Sequence, residues 1–205
     1  MAQRKLQRYD YFIVLDFEAT CEKDIQLKPQ EIIEFPALKV NSTTYEVESQ
    51  FHQFVKPVGH PQLTMFCKEL TTIKQDEVDN ASEFSVVLRD FCSWVNSELH
   101  GKSFIFVTCG DWDLETMLPE QCNFSGEQVP HFCKSWVNIK KSYRHCTGRF
   151  GKGIVEMLRY LRIPHTGTLH RGLDDCLNIV KILRALAERG FQFLPSDRCI
   201  HSRLS

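Results

Sequence analysis

The run Tyr11–Phe17 (YFIVLDF) constrains the fold more than any other feature of the chain. It is short, almost unbroken in its apolar character and rich in β-formers, as expected of a central strand covered on both faces. A strand of that kind requires packing layers above and below its sheet. It also ends in charge, because Asp16 and Glu18 close it. The chain has 205 residues, 42% of them apolar and 25% charged. Those proportions exclude a disordered polymer and suit one domain that buries about 70% of its extended-chain surface.

The neighbouring segments extend the sheet. Glu31–Asn41 and Tyr45–Val55 read as a hairpin around Asn41-Ser42-Thr43-Thr44, with Val47, Phe51 and Val55 alternating against polar residues. Pro36 points to a bulge or an edge in the first of these strands. Short helical pieces follow near Leu63–Leu70 and Asp76–Val78. A longer amphipathic helix carries Phe84, Val87, Leu88, Phe91 and Val95, with Ser82 as a candidate cap.

Phe104–Thr108 is a further strand that feeds a helix at Asp111-Trp112-Asp113-Leu114, and Trp136–Ile139 is one more strand. Helices are expected over Gly151–Leu161 and Leu173–Arg189, the last with Cys176, Leu177, Val180, Leu183 and Ala187 on one face and Gly190 just beyond it. The tail after it reads as loosely held. An antiparallel hairpin beside a central strand, then strands alternating with helices, gives an α/β class with a mixed sheet flanked by helices. We expect residues 1–205 to form a single domain with a core of about 9–193.

Nine cysteines, an odd number with no C-x-x-C pair, read as reduced thiols rather than a disulfide or zinc framework. There is no signal-peptide pattern and no long uncharged apolar run. The expectation is therefore a soluble intracellular protein, cytoplasmic, nuclear or both, with no membrane partner. The formal net charge of −1 hides an asymmetry: Lys134–Arg171 holds nine basic residues and a single acid, Glu156. Such a segment suits an anionic polymer and equally suits a solvated face.

The period of two along a strand puts Asp16 and Glu18 on one face and Phe17 on the other. Carboxylates at that place must be solvated, protonated, paired or bound to a cation. Asp113 follows a second strand at the opening of a helix, where functional groups of α/β sheets collect, although it or Asp111 could simply cap. Asp175 lies in the first turn of the last helix, beside Asp174 and five residues after His170. One of the two aspartates could likewise serve as a cap.

In their order along the chain, these features resemble a known family. Asp16-Phe17-Glu18-Ala19-Thr20-Cys21, Glu31-Ile32-Ile33-Glu34-Phe35-Pro36, Gly110-Asp111-Trp112-Asp113 and His170-Arg171-Gly172-Leu173-Asp174-Asp175 are similar to motifs of the DEDDh 3′–5′ exonucleases. The match is closest to the enhanced-RNAi, or three-prime histone mRNA, exonuclease subfamily and its prion-interactor-like members. The resemblance spans about Tyr9 to Phe193. It implies an RNase H-like (DnaQ-like) mixed five-stranded sheet flanked by helices. It also implies a metal-dependent 3′–5′ exoribonuclease that releases nucleoside 5′-monophosphates from RNA 3′ ends, with DNA as a second candidate substrate.

By motif position, Asp16, Glu18, Asp113 and Asp175 would hold two Mg²⁺ ions, with Mn²⁺ as a substitute, and Asp16 would bridge them. Glu18 and His170 would be catalytic, His170 as the general base. Ala19, Phe66, Leu70, Thr71, Trp112 and His170 would contact the terminal nucleotide, and the basic segment would track the phosphate backbone. Where many relatives have Leu-Thr-Gly-Ile, this chain has Leu70-Thr71-Thr72-Ile73. Eight residues precede the resemblance, so the N-terminal nucleic-acid-binding domain of the histone mRNA members, and its stem-loop specificity, are not expected. The alternative is a catalytically silent nucleic-acid-binding or protein-interaction module, which loss of an acid would have favoured. A thiol enzyme has no motif behind it, and protein partners cannot be read from the sequence.

Overall fold

The computed structural model describes residues 5–196. The expected central strand is β1 (Tyr11–Leu15), with Phe12 and Val14 facing one layer and Ile13 and Leu15 the other, all fully buried. It runs antiparallel to β3 (Ile32–Asn41) and parallel to β6 (Phe104–Thr108). β3 continues the sheet antiparallel to β4 (Val47–Lys56), and β6 is parallel to β7 (Trp136–Asn138). These five strands form the expected mixed sheet. Two-residue strands add to it: β2 (Glu18–Ala19) pairs with β3, and β5 (Ser82–Glu83) pairs with β4.

Helices cover both faces. Beneath one lies α3 (Phe84–Glu98), whose Phe91 packs on Phe35 and Phe51, with α4 (Leu118–Phe124) beside it. Over the other lie α5 (Ile139–Thr147), α6 (Ile154–Leu161) and α7 (Gly172–Glu188), contributing Tyr143, Met157 and Leu183 to a second core. The shorter α1 (Met65–Thr71) and α2 (Gln75–Asp79) flank a third cluster around Ile33, Cys67 and Ile73.

Several local expectations are corrected. Pro36 marks neither an edge nor a bulge: it lies between the last β1 partner, Ala37, and the first β2 partner, Glu34, while the β3–β4 register shifts at Lys39/Val40. The gap between β1 and β2 is where a residue without an N–H costs no ladder bond on that side. Val47 is exposed, so only Phe51 and Val55 of the proposed alternation face the core. Ser82 joins β5 instead of capping α3, whose N-cap position is Glu83. Leu177 is exposed, whereas Cys176, Val180, Leu183 and Ala187 are buried as expected, with Ile179, Ile182 and Leu186 buried beside them.

The tail is also more firmly held than expected. Phe193 is fully buried against Phe12, and the Ser196 N–H donates to the Trp136 carbonyl. The remainder of the tail, like residues 1–4, lies outside the described residues. The eight described cysteines are free thiols, and among the described residues no helix is long and apolar enough to cross a membrane.

Candidate active site

β1 stops at Leu15 because the chain must turn to restart as β2, and Asp16 emerges at that break. Phe17 stacks edge-on against Phe35, with ring centroids 4.6 Å apart, which anchors the segment from below. Its N–H donates to Asp113 Oδ1 at 2.9 Å. The residue between the first two carboxylates thus holds the third. Asp113 opens a π-helical turn, Asp113–Met117, that runs into α4, an irregularity often found at functional sites.

Asp111 does not compete for that place. Its carboxylate accepts from Trp136 Nε1 at 3.0 Å and pairs with Lys141 at 2.8 Å, cross-linking β7 and α5. The choice between Asp174 and Asp175 is resolved in the same way. Asp174 accepts the Thr168 N–H at 2.7 Å and folds the preceding loop over Gly167, where a Cβ would lie 2.3 Å from Asp174 Cγ. Asp175 Oδ2 accepts the His170 N–H at 2.9 Å, while its Oδ1 is buried without any hydrogen-bond partner.

His170 has φ +61°, the left-handed region, which costs an L-residue on the order of 1 kcal/mol and persists at sites where the surroundings impose it. Glu18, His170 and Asp175 each offer a ligand atom within 4.8 Å of the others. Asp16, His170 and Asp175 also line one open cavity of about 600 Å³.

What seats α7 is Glu34, a residue to which the sequence reading gave no role. Its fully buried carboxylate accepts the N–H of Gly172 at 2.9 Å and of Leu173 at 3.4 Å, and lies 2.8 Å from His52 Nε2. A carboxylate 138 positions away in sequence therefore caps the helix that carries Asp175. Gly172 is needed for the same approach: a Cβ there would meet the Asp16 carbonyl oxygen at 2.6 Å and Pro36 Cγ at 2.8 Å. Glu34→Ala should lower stability by about 2 kcal/mol through orphaned amides. Thermal denaturation with an unchanged midpoint would show that Glu34 does not hold α7.

The carboxylates repel one another across this small volume. Burial pushes Asp16 well above the usual range, helped by Asp113, Asp175 and Glu18 and opposed by Lys140. Burial with Asp175, Glu34 and Asp113 raises Glu18 to about 9. Asp113 and Asp175 each rise to about 6, again by burial, partly offset by the Phe17 and His170 N–H groups respectively. Burial lowers His170 from its ordinary value. Clustered acids held in the wrong charge state for water, with a buried carboxylate oxygen unpartnered, match the chemistry of a divalent-cation site.

None of the other residues expected to contact the terminal nucleotide lines the cavity that holds Asp16 and His170. Ala19 is buried, and its carbonyl faces Cys67 Sγ at 3.8 Å. Phe66 and Leu70 are half-buried on α1, and Trp112 is exposed. Thr71 is buried, and its hydroxyl donates to the Cys67 carbonyl at 2.8 Å. The next residue, Thr72, ends α1 at φ +59°. That is the left-handed region, which glycine adopts without strain, so Thr72→Gly should stabilise the domain by about 0.5–1 kcal/mol. A lower thermal midpoint would rule out strain at Thr72.

The basic segment is not one continuous stripe. Arg171 pairs with Glu77 at 3.3 Å and lies over the Phe54 ring, and Lys141 is taken by Asp111. Lys140, Lys152 and Arg159 line the cavity that holds Asp16 and His170.

Carboxylates and a histidine gather where β1 of a mixed sheet breaks and α7 begins, an arrangement suited to a divalent cation. The sequence matches the Exonuclease (RNase_T) family over residues 13–183. It is 52% identical over 197 residues to ERI1 exoribonuclease 3 of Mus musculus, covering 94% of this chain and 58% of that protein. It is 39% identical over 199 residues to 3′-5′ exoribonuclease 1 of Homo sapiens, covering 93% of this chain and 56% of that protein. The chain thus spans little more than half the length of these relatives.

Among solved structures, the nuclease domain of 3′hExo, a DEDDh family member bound to rAMP, superposes with a TM-score of 0.85 at 37% identity. The match covers 91% of this chain and 97% of that one. The chain therefore belongs to the exonuclease family, of the DEDDh 3′–5′ type.

Proposed function

We propose that this domain is a metal-dependent 3′–5′ exonuclease that releases nucleoside 5′-monophosphates from the 3′ ends of RNA, with DNA as the second substrate to test. The observation that carries this reading is the convergence of ligand atoms of Glu18, His170 and Asp175 within 4.8 Å of one another, together with an Asp175 Oδ1 that is buried without a hydrogen-bond partner. We assign Asp16, Glu18, Asp113 and Asp175 to two divalent cations. A donor set of hard oxygens without a cysteine cluster favours Mg²⁺, with Mn²⁺ able to replace it. When bound, such ions neutralise phosphate charge and lower the pKa of water.

The chain's own groups do the rest. His170, kept neutral near pH 7 because burial lowers its pKa, accepts the proton of the attacking water. The new P–O bond forms as the bond from phosphorus to the 3′ oxygen of the penultimate nucleotide breaks. The products are a 5′-mononucleotide and a strand one residue shorter with a free 3′-hydroxyl. Glu34, through α7, keeps Asp175 and His170 in register. Ala19, Phe66, Leu70, Thr71 and Trp112 form the proposed pocket for the terminal nucleotide, in which stacking tolerates any base. Residues 9–193 constitute the proposed catalytic domain.

The test is product analysis by chromatography after incubating matched RNA and DNA oligonucleotides with Mg²⁺, Mn²⁺ or EDTA. The expected products are 5′-mononucleotides, absent with EDTA. Nucleoside 3′-monophosphates, or products that persist in EDTA, would overturn the reading.

A further inference from the structure

Beyond the cavity that holds Asp16 and His170, the same face carries a second hollow of about 390 Å³, lined by Tyr143, Arg149, Phe150, Arg159 and Tyr160, with Glu156 as its one acid. Arg159 and Glu156 line both hollows, so the two are continuous along α6. The surface between them is unusual for a solvated face. Phe150 is 66% exposed, and Val155, Tyr160 and Leu169 are exposed along the same path.

Phe150 is not on a loose loop. Gly151 beside it is buried so tightly that a Cβ would overlap Met157 Cγ and come within 3.2 Å of Tyr143 Cδ1. Arg149 lies over the Tyr160 ring at 4.7 Å, and Tyr160 is set edge-on to Tyr143 at 5.9 Å. Among the described residues Lys140, Arg149, Lys152 and Arg159 have no ion-pair partner, unlike Lys141 and Arg171. Glu156 is partly occupied by the Lys152 N–H at 3.3 Å.

We propose that this second hollow is a subsite for upstream nucleotides of a single-stranded substrate whose 3′ end sits in the candidate active site. Phe150 stacks on a base and Arg149 contacts a phosphate, while Lys152 and Arg159 guide the backbone between the two hollows. Exposed aromatics interleaved with cations are how strands are held without sequence readout. Continuity with the acidic centre, and two arginines against one acid in the second hollow, favour a polyanion over a protein partner. The proposal rests on the exonuclease reading and adds to it a minimum strand length for full affinity.

The test is fluorescence anisotropy with single-stranded RNA oligonucleotides of two to twelve nucleotides, labelled at the 5′ end, in EDTA so that the strands stay intact. Wild-type protein, Phe150→Ala, Phe150→Tyr and Arg149→Ala are compared, with a thermal midpoint for each. Wild-type affinity should rise once the strand reaches beyond the terminal pocket. Phe150→Ala should lose roughly tenfold on long strands, within the range for one stacked base, and Phe150→Tyr should retain the gain. Arg149→Ala should reduce the salt slope by about 0.7, the value for one phosphate contact on a single strand.

Equal affinity and equal salt slope in all four proteins at every length would overturn the subsite, even while the strands are still shortened from the 3′ end when Mg²⁺ is added. If wild-type protein neither binds strands of any length nor shortens them with Mg²⁺, the exonuclease reading fails and the subsite fails with it.

Discussion

Asp16→Asn should reduce strand cleavage by roughly 10³-fold or more. A correctly placed divalent cation supplies several kcal/mol of transition-state stabilisation, and each 1.36 kcal/mol is a factor of ten in rate. Asp16 sits at the break between β1 and β2, lines the same cavity as His170, and is pushed up in pKa first by burial and then by three neighbouring acids. An amide there keeps the shape and removes one of the mutually repelling anions. The variant's thermal midpoint in EDTA should therefore lie above that of wild type, and the gain on adding metal should shrink. Loss of activity together with a lower midpoint in EDTA would indicate a folding defect, and full activity would remove Asp16 from the site.

The second large effect is expected at His170. His170→Ala should slow the chemical step by about 10²–10⁴-fold, the range for loss of a general base, while metal-induced stabilisation and strand binding persist. The distinction matters because the His170 ring lies within 4.8 Å of ligand atoms of both Glu18 and Asp175. A ligand would be lost with the metal, whereas a base is lost with the rate alone. Calorimetric titration of metal into His170→Ala separates the two: unchanged metal affinity supports the base, and loss of metal binding would make His170 a ligand.

The parts of this site that follow local rules could be read from the sequence. The apolar run Tyr11–Phe17 marks β1, but the strand ends at Leu15, so Asp16 lies at the break before β2 and not within a strand shared with Glu18. Gly190, with φ +80°, marks the end of α7 as expected. α5 was not recognised, although Asn138 caps it by accepting from the N–H groups of Lys140 and Lys141, and Gly148 closes it at φ +72°. Its buried face is Ile139, Ser142 and Tyr143, so a serine interrupts the apolar period and three lysines and arginines outweigh the signal.

Glu34 could not have been assigned from its neighbourhood. Its partners, Gly172, Leu173 and His52, come together only when β3, β4 and α7 are assembled. Pro36 follows the same logic: the strand that holds it is paired on one side by two separate short strands, and the gap between them exists only in the assembled sheet. Likewise the charge run 134–171 was visible as composition. Only packing divides it into residues spent on Glu77 and Asp111 and residues that face the two hollows.

In the proposed mechanism, the acidic centre at the β1–β2 break removes nucleotides one at a time from a 3′ end. Digestion of a 5′-labelled single-stranded RNA with Mg²⁺, resolved at single-nucleotide spacing, tests it most directly. The expected result is a ladder that shortens from the 3′ end, is abolished by EDTA and is absent with Asp16→Asn. Release of the label as a mononucleotide at the earliest times, or an undiminished ladder with Asp16→Asn, would contradict it.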